Sequence, residues 1–196
     1  MKTIIAVALY VILAYVSKCE FAKAPALTCQ QVTAMQNFKP TQLFQGTWYV
    51  THAKEGGSPR LCQKFKFEHK SGDKVVIKYG FHIGSEPYTA ESKNSKKTGE
   101  GKYSFDCTLR DSKESKGEFK LDLTIIGTDY NKFAIFYQCY KNGAEVTADN
   151  FLVLKKNKDD NTPDSEIAKI LMEKQKLSLQ NLVTRKSQNC KEVTNL

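Results

Sequence analysis

The sequence predicts an all-β chain: an eight-stranded antiparallel up-and-down barrel with one C-terminal helix packed outside it. Three observations carry this reading. Between Gln45 and Lys156, apolar and polar residues alternate in short runs, the period of strands with one buried face. Clusters of Gly, Ser, Asn, Lys and Pro separate these runs at hairpin spacing, each supplying residues that turns favour. Beyond Thr162 the apolar period lengthens to three or four residues, which is helical.

In the first run Trp48, Val50 and His52 share one face, with Thr47, Tyr49 and Thr51 on the other. Phe65 and Phe67 then alternate with Lys64 and Lys66, and Val75, Ile77, Tyr79 and Phe81 oppose Lys74 and Lys78. Tyr103 and Phe105 oppose Lys102 and Asp106; Phe119, Leu121, Leu123 and Ile125 oppose Lys120 and Asp122. Residues 133–140 are apolar on both faces, which predicts a strand covered on its outer side as well, and residues 151–154 close the series. The polar stretches 55–59, 70–73, 92–101, 111–117 and 141–143 read as connections. An additional strand around residues 86–91 brings the count to eight, the number at which a closed barrel holds one small ligand. Thr162 as N-cap with Pro163 at the first helical position starts the tail helix, and Ile167, Ile170, Leu171, Lys174 and Leu177 form its buried stripe. A short helical turn near residues 30–36 is expected to cap the closed end.

Residues 1–19 read as a secretory signal. Lys2 precedes an almost wholly apolar run from Thr3 to Val16, and Ser17 and Cys19 place small residues before a cut at Glu20. A cut after Ala26 is the alternative. The apolar run falls short of the ~20 residues of a membrane span, and no later run approaches that length. Residues 20–196 then form one domain. Loss of Lys2 and Lys18 lowers the formal charge from +9 to +7. That balance suits acidic partners or a solubilising surface, and the three arginines, Arg60, Arg110 and Arg185, argue against nucleic-acid recognition. Five cysteines remain, with no Cys-x-x-Cys pair, so two disulfides and one free thiol are expected and a zinc site is not.

With these elements placed, the chain resembles the salivary lipocalins of blood-feeding triatomine bugs, the triabin and pallidipin group. The matching pieces are Cys29 followed by Met35-Gln36-Asn37-Phe38-Lys39-Pro40, then Phe44 to His52 around Gly46-Thr47-Trp48. Ser58-Pro59-Arg60-Leu61-Cys62-Gln63-Lys64-Phe65 follows, with Lys102 to Cys107, Thr128 to Ala134 before Cys139, and Phe151 to Leu154. The resemblance implies disulfides Cys29–Cys139 and Cys62–Cys190. Some members pair the equivalent of Cys107 with a cysteine in the fourth strand; here residues 86–91 hold none, so Cys107 is expected to be a free thiol, pointing inward by its phase with Tyr103 and Phe105.

Alternation implies an inward set that includes His52, Phe65, Phe67, Ile77, Tyr79, Phe81, Tyr103, Phe105, Leu121 and Leu123, lining an apolar cup with few polar points. Such a cup suits an amphipathic ligand. His52, in phase with Trp48 and Val50, is placed at the open mouth as a polar anchor, while the region near Trp48 is expected to be filled. His82 lies where heme-carrying relatives place their iron ligand, but it is out of phase with Tyr79 and Phe81 and should point outward. No nucleophile elbow, His-Glu-x-x-His or P-loop occurs, so no enzyme, metal or cofactor is expected. The resemblance implies a secreted, monomeric salivary protein that counters host haemostasis. Its small amphipathic ligand would be an eicosanoid such as thromboxane A2, and platelet aggregation the process inhibited. A protein-binding inhibitor of thrombin or contact-phase proteases is the alternative. A carrier of heme, nitric oxide or a biogenic amine comes after both.

Overall fold

Eight antiparallel strands close on themselves in the computed structural model, which describes residues 27–160, 162, 164–194 and 196. The signal segment 1–19, both candidate cut sites and Cys19 lie outside these residues. A short helix, α1 (Pro40–Leu43), leads into β1 (Gln45–Ala53). A single turn, α2 (Ser58–Leu61), then precedes β2 (Lys64–His69), β3 (Val75–Ile83), β4 (Glu86–Gly99) and β5 (Lys102–Arg110). The series continues with β6 (Ser115–Thr128), β7 (Phe133–Asn142), β8 (Glu145–Lys155), α3 (Ser165–Gln175) and β9 (Val183–Thr184). Consecutive strands pair from β2 to β8, β8 pairs with β1, and β1 closes on β2. Beyond Tyr49, where β1 leaves β2, β9 takes its place beside His52 and Ala53.

The closed end is packed aromatic. Phe44 meets Tyr103 edge-on at 5.0 Å and Phe67 at 5.3 Å. Trp48 donates its indole N–H to the Leu43 carbonyl at 3.3 Å, and the Lys156 ammonium sits 4.0 Å over its ring. Outside the barrel, Phe133, Ile135, Tyr137 and Val153 form a second core with Ile167 and Leu171 of α3. This is the outer cover that the two-faced apolar character of β7 required. Lys174 donates to the Ile126 carbonyl at 2.8 Å, capping the stripe with its ammonium rather than burying it.

Four expectations about elements are corrected. The turn before β1 forms at Pro40–Leu43 rather than at 30–36; proline opens it without losing a hydrogen bond, while Met35 N–H donates instead to the Ile125 carbonyl at 2.8 Å. The polar run 92–99 continues β4, because its backbone pairs with β5 from Ser92 to Gly99 around two bulges. Likewise β6 begins at Ser115, so the connection before it is shorter than predicted. Finally, Asp164 caps α3, accepting from Glu166 N–H at 2.9 Å and Ile167 N–H at 3.2 Å, while Thr162 turns back to Asp160; Pro163 lies outside the described residues.

Candidate functional site

The strand directions put four connections at the open end: residues 54–63 after β1, and the turns after β3, β5 and β7. Beneath them lies a cup of about 300 Å³, at the small end of the ~300–1,000 Å³ typical of ligand pockets. Its walls are Phe81, Leu109, Phe119, Ala148 and Leu152; its polar points are Gln63, Tyr79, Gln138, Tyr140 and Asn150, with Pro59 and Arg60 at the rim. None of the residues lining it is an Asp or Glu.

The phase of β1 does not carry His52 into this cup. A bulge inserts Thr51 between Val50, opposite Leu154, and His52, opposite Val153, and one extra residue exchanges the two faces of a strand. Val153 belongs to the outer core and Leu152 to the inner one, so Ala53 points inward and His52 outward. The imidazole is 6% exposed, 3.1 Å from the Thr51 hydroxyl, and its pKa is lowered by burial and by Lys155. The expectation of a His52 anchor at the mouth is therefore corrected.

Of the other inward residues, Tyr79 and Phe81 line the cup. Phe65, Phe67, Ile77, Tyr103, Phe105, Leu121 and Leu123 point inward but fill the barrel below it, each at most 2% exposed. They pack the core beneath this cup rather than line it, and Tyr103 also borders a hollow at the closed end with Phe38 and Pro40. Cys107 is free and buried among them, its thiol pushed up to about 12 by burial and by Asp106. His82 pairs in regular register with Pro87 and faces outward, bordering a groove with Glu192 and Val193.

A chain of hydroxyls and amides crosses the floor of the cup. Tyr140 O–H donates to Gln138 Oε1 at 2.8 Å, with Tyr79 and Gln63 close beside the Tyr140 hydroxyl. Burial raises the pKa of Tyr79 well above that of a free phenol and pushes that of Tyr140 up to about 12. Both therefore stay protonated at neutral pH and act as donors. Two atoms of this chain have no hydrogen-bond partner: Gln63 Oε1 and Gln138 Nε2. Their side chains belong to residues 6% and 1% exposed. Unmet polar groups buried this deeply are rare in proteins and cost ~1–3 kcal/mol each unless something bonds them.

The rim is held by distant parts of the chain. Cys62, at the end of α2, is bonded to Cys190, and Cys29 to Cys139. Arg185, 6% exposed, donates to the Leu61 carbonyl at 3.0 Å and lies 5.8 Å from the Tyr49 ring centroid. Asn150 clamps Glu55 from both sides of its amide, accepting at 3.0 Å and donating at 2.6 Å. Past Cys190 the tail presses on β3 at Gly80, where a Cβ would stand 2.8 Å from Val193 Cβ. Only glycine admits that approach. These contacts leave Arg60 beside Tyr140, its charge stabilising the phenolate form, and with no carboxylate partner among the described residues.

A family model described as Triabin matches residues 20–169 of this chain. The chain belongs to the Triabin family. Its relatives include triabin of Meccus pallidipennis, 34% identical over an alignment covering 85% of this chain and 98% of that protein. Triafestin-1 of Triatoma infestans is 31% identical, covering 98% and 96%. Among solved structures, the amine-binding protein of Rhodnius prolixus in complex with tryptamine superposes with a TM-score of 0.66 at 18% identity, covering 85% of this chain and 91% of that one. That likeness establishes the lipocalin barrel for this Triabin member and nothing about its ligand.

Proposed function

We propose that the protein is a secreted salivary lipocalin that impairs host haemostasis by sequestering a small amphipathic agonist in the open-end cup. The ligand class is an eicosanoid-type acid such as thromboxane A2, and the affected process is platelet aggregation. One observation carries the reading: a cup with an apolar wall, a neutral hydroxyl and amide floor, and a single cation, Arg60, at its rim. Apolar chain against Phe81, Leu109, Phe119 and Leu152 provides affinity, and Arg60 faces an anionic end group. The tryptamine-binding neighbour names a cationic ligand, but an ammonium in this cup would meet no carboxylate. A signal-like N-terminus and two disulfides support export to an oxidising compartment. Family membership and relatives named from Triatoma and Meccus support the salivary setting.

Calorimetry with arachidonic acid, ADP, serotonin and heme tests the proposal. Stoichiometric heat with the fatty acid and little with the others is expected. No heat with any of them, together with prolonged clotting of plasma, overturns it in favour of a protein-binding inhibitor acting through the rim loops.

A further inference from the structure

A second hollow, of about 590 Å³, opens at the closed end, on the far side of the filled core from the cup. Phe38, Pro40 and Tyr103 supply its apolar surface; Lys97, Thr98 and Glu100, at the end of β4 and in the turn after it, supply its polar side chains. Phe38 is held on three sides. Its ring is edge-on to Phe44 at 5.6 Å and to Tyr103 at 6.4 Å, and stacked on Tyr130 at 6.3 Å. Tyr130 itself holds φ +66°, a left-handed conformation that bulky residues rarely adopt and that persists only where the surroundings enforce it. Glu100 is held as well: its Oε1 accepts from the Phe38 N–H at 3.2 Å. The next residue, Gly101, adopts φ +63°, and a Cβ there would stand 3.2 Å from Ala34 Cβ. Glycine lets the turn lie this close to the N-terminal segment. The carboxylate and the aromatic ring are thus fixed side by side before any ligand arrives.

Charge separates this hollow from the cup. Lys97 is turned to Asp73 at 3.2 Å, whereas Glu100 is exposed and has no ion-pair partner among the described residues. The closed end therefore offers a carboxylate beside aromatic rings to a cation, where the cup offers Arg60 to an anion. A primary ammonium brings three N–H donors to be satisfied. The side chains here serve it poorly, because Glu100 Oε1 already accepts from Phe38 and Thr98 adds a single hydroxyl. A quaternary ammonium has no N–H. It needs a negative charge nearby and apolar or aromatic contact for its methyl groups, which is how aromatic surfaces recognise choline-type cations.

We infer that the closed end is a second ligand site, for a quaternary ammonium of the choline type, seated against Phe38 and held by Glu100. The site is independent of sequestration in the cup, since the filled core lies between the two hollows. Either reading can fail without the other. Free choline and choline phospholipids both carry the trimethylammonium group that this chemistry selects.

NMR titration of the secreted protein with choline, ethanolamine and 3,3-dimethylbutanol tests the site. Choline should bind at least about fivefold more tightly than ethanolamine, which lacks the methyl groups, and than the alcohol, which keeps the shape without the charge. Its shift changes should centre on the amides of Gly99 and Gly101 and spare Gln138 in the cup. Glu100→Gln, an exposed change that leaves the melting temperature in place, should weaken choline about threefold to fivefold, the scale of an exposed ion pair. Phe38→Leu should weaken it by a similar factor, with circular dichroism verifying the fold. Vesicles of phosphatidylcholine separate the two sources of the cation. Sedimentation of the protein with them, reversed by free choline, upholds the site as one for lipid headgroups; choline binding without sedimentation upholds it as one for a free cation. No choline binding, equal affinities for choline and ethanolamine, or shifts confined to the cup overturn the site. Full choline affinity in Glu100→Gln overturns it as well.

Discussion

Below the level of Tyr79 the barrel strands turn Trp48, Phe65, Ile77, Phe105 and Leu123 into one core, each of them at most 1% exposed. Above that level the same strands, or the residues just before them, present Gln63, Tyr79, Leu109, Phe119, Gln138 and Tyr140 around open space. The lower half is apolar inside apart from the buried Tyr103 hydroxyl, which has no partner; the upper half brings several amides and phenols inside and leaves Gln63 Oε1 and Gln138 Nε2 unmet. The difference teaches that inward phase alone does not define a binding surface in a barrel of this width. Height along the strand divides residues that stabilise the fold from residues that meet a ligand.

The comparison can be broken most forcefully by paired truncations. Phe105→Ala, in the filled half, should cost ~3–5 kcal/mol in chemical denaturation, the usual range for a buried phenylalanine. Phe119→Ala, partly buried on the cup wall, should cost less and weaken ligand binding severalfold. Equal stability losses for the two would erase the division. Next in size, replacing both Cys62 and Cys190 by serine should destabilise the protein by ~2–5 kcal/mol. It should also weaken ligand binding, since the bridge fixes α2 and Arg60; a stable variant with full affinity would detach the tail from the rim.

A smaller effect is expected at Arg60. Arg60→Ala should lower affinity for an acidic ligand by about tenfold and flatten its salt dependence, as removal of one partly buried rim charge does. The melting temperature should hardly move. Unchanged affinity would place the anionic group elsewhere.

Smallest is the titration of His52. Its folded pKa lies below the ordinary 6.5, through burial first and Lys155 second. The unfolded chain therefore binds the proton more readily, and stability should fall as pH drops below about 6.5, levelling off beneath the folded value. His52→Gln should remove that step from the pH profile and leave ligand affinity alone. A loss of affinity would return His52 to the cup.

Much of this architecture was legible in the sequence. Period-two alternation marked the strands and their inward faces, the two-faced β7 announced its outer cover, and the change of period located α3. Carrying the phase of Phe65 and Phe67 back by two positions reaches Gln63, and carrying that of Tyr103 and Phe105 forward reaches Leu109, so part of the cup was within reach of the pattern. His52 was not, because a bulge at Thr51 has no hydropathy signature and exchanges the two faces above it. Gln138 was hidden differently, inside a strand apolar on both sides, where one amide does not disturb the pattern. Arg60 sits in a single helical turn whose place is set by Cys190, Arg185 and Asn150 from remote parts of the chain, and periodicity is silent about such contacts.

A crystal structure of the protein with arachidonic acid tests the central claim most directly. The account predicts ligand density in the open-end cup, its carboxylate near Arg60, with Phe65, Tyr103 and Phe105 unmoved beneath it. An empty cup in a protein shown to bind the acid, or density below Tyr79 among the residues described as filled core, would contradict it.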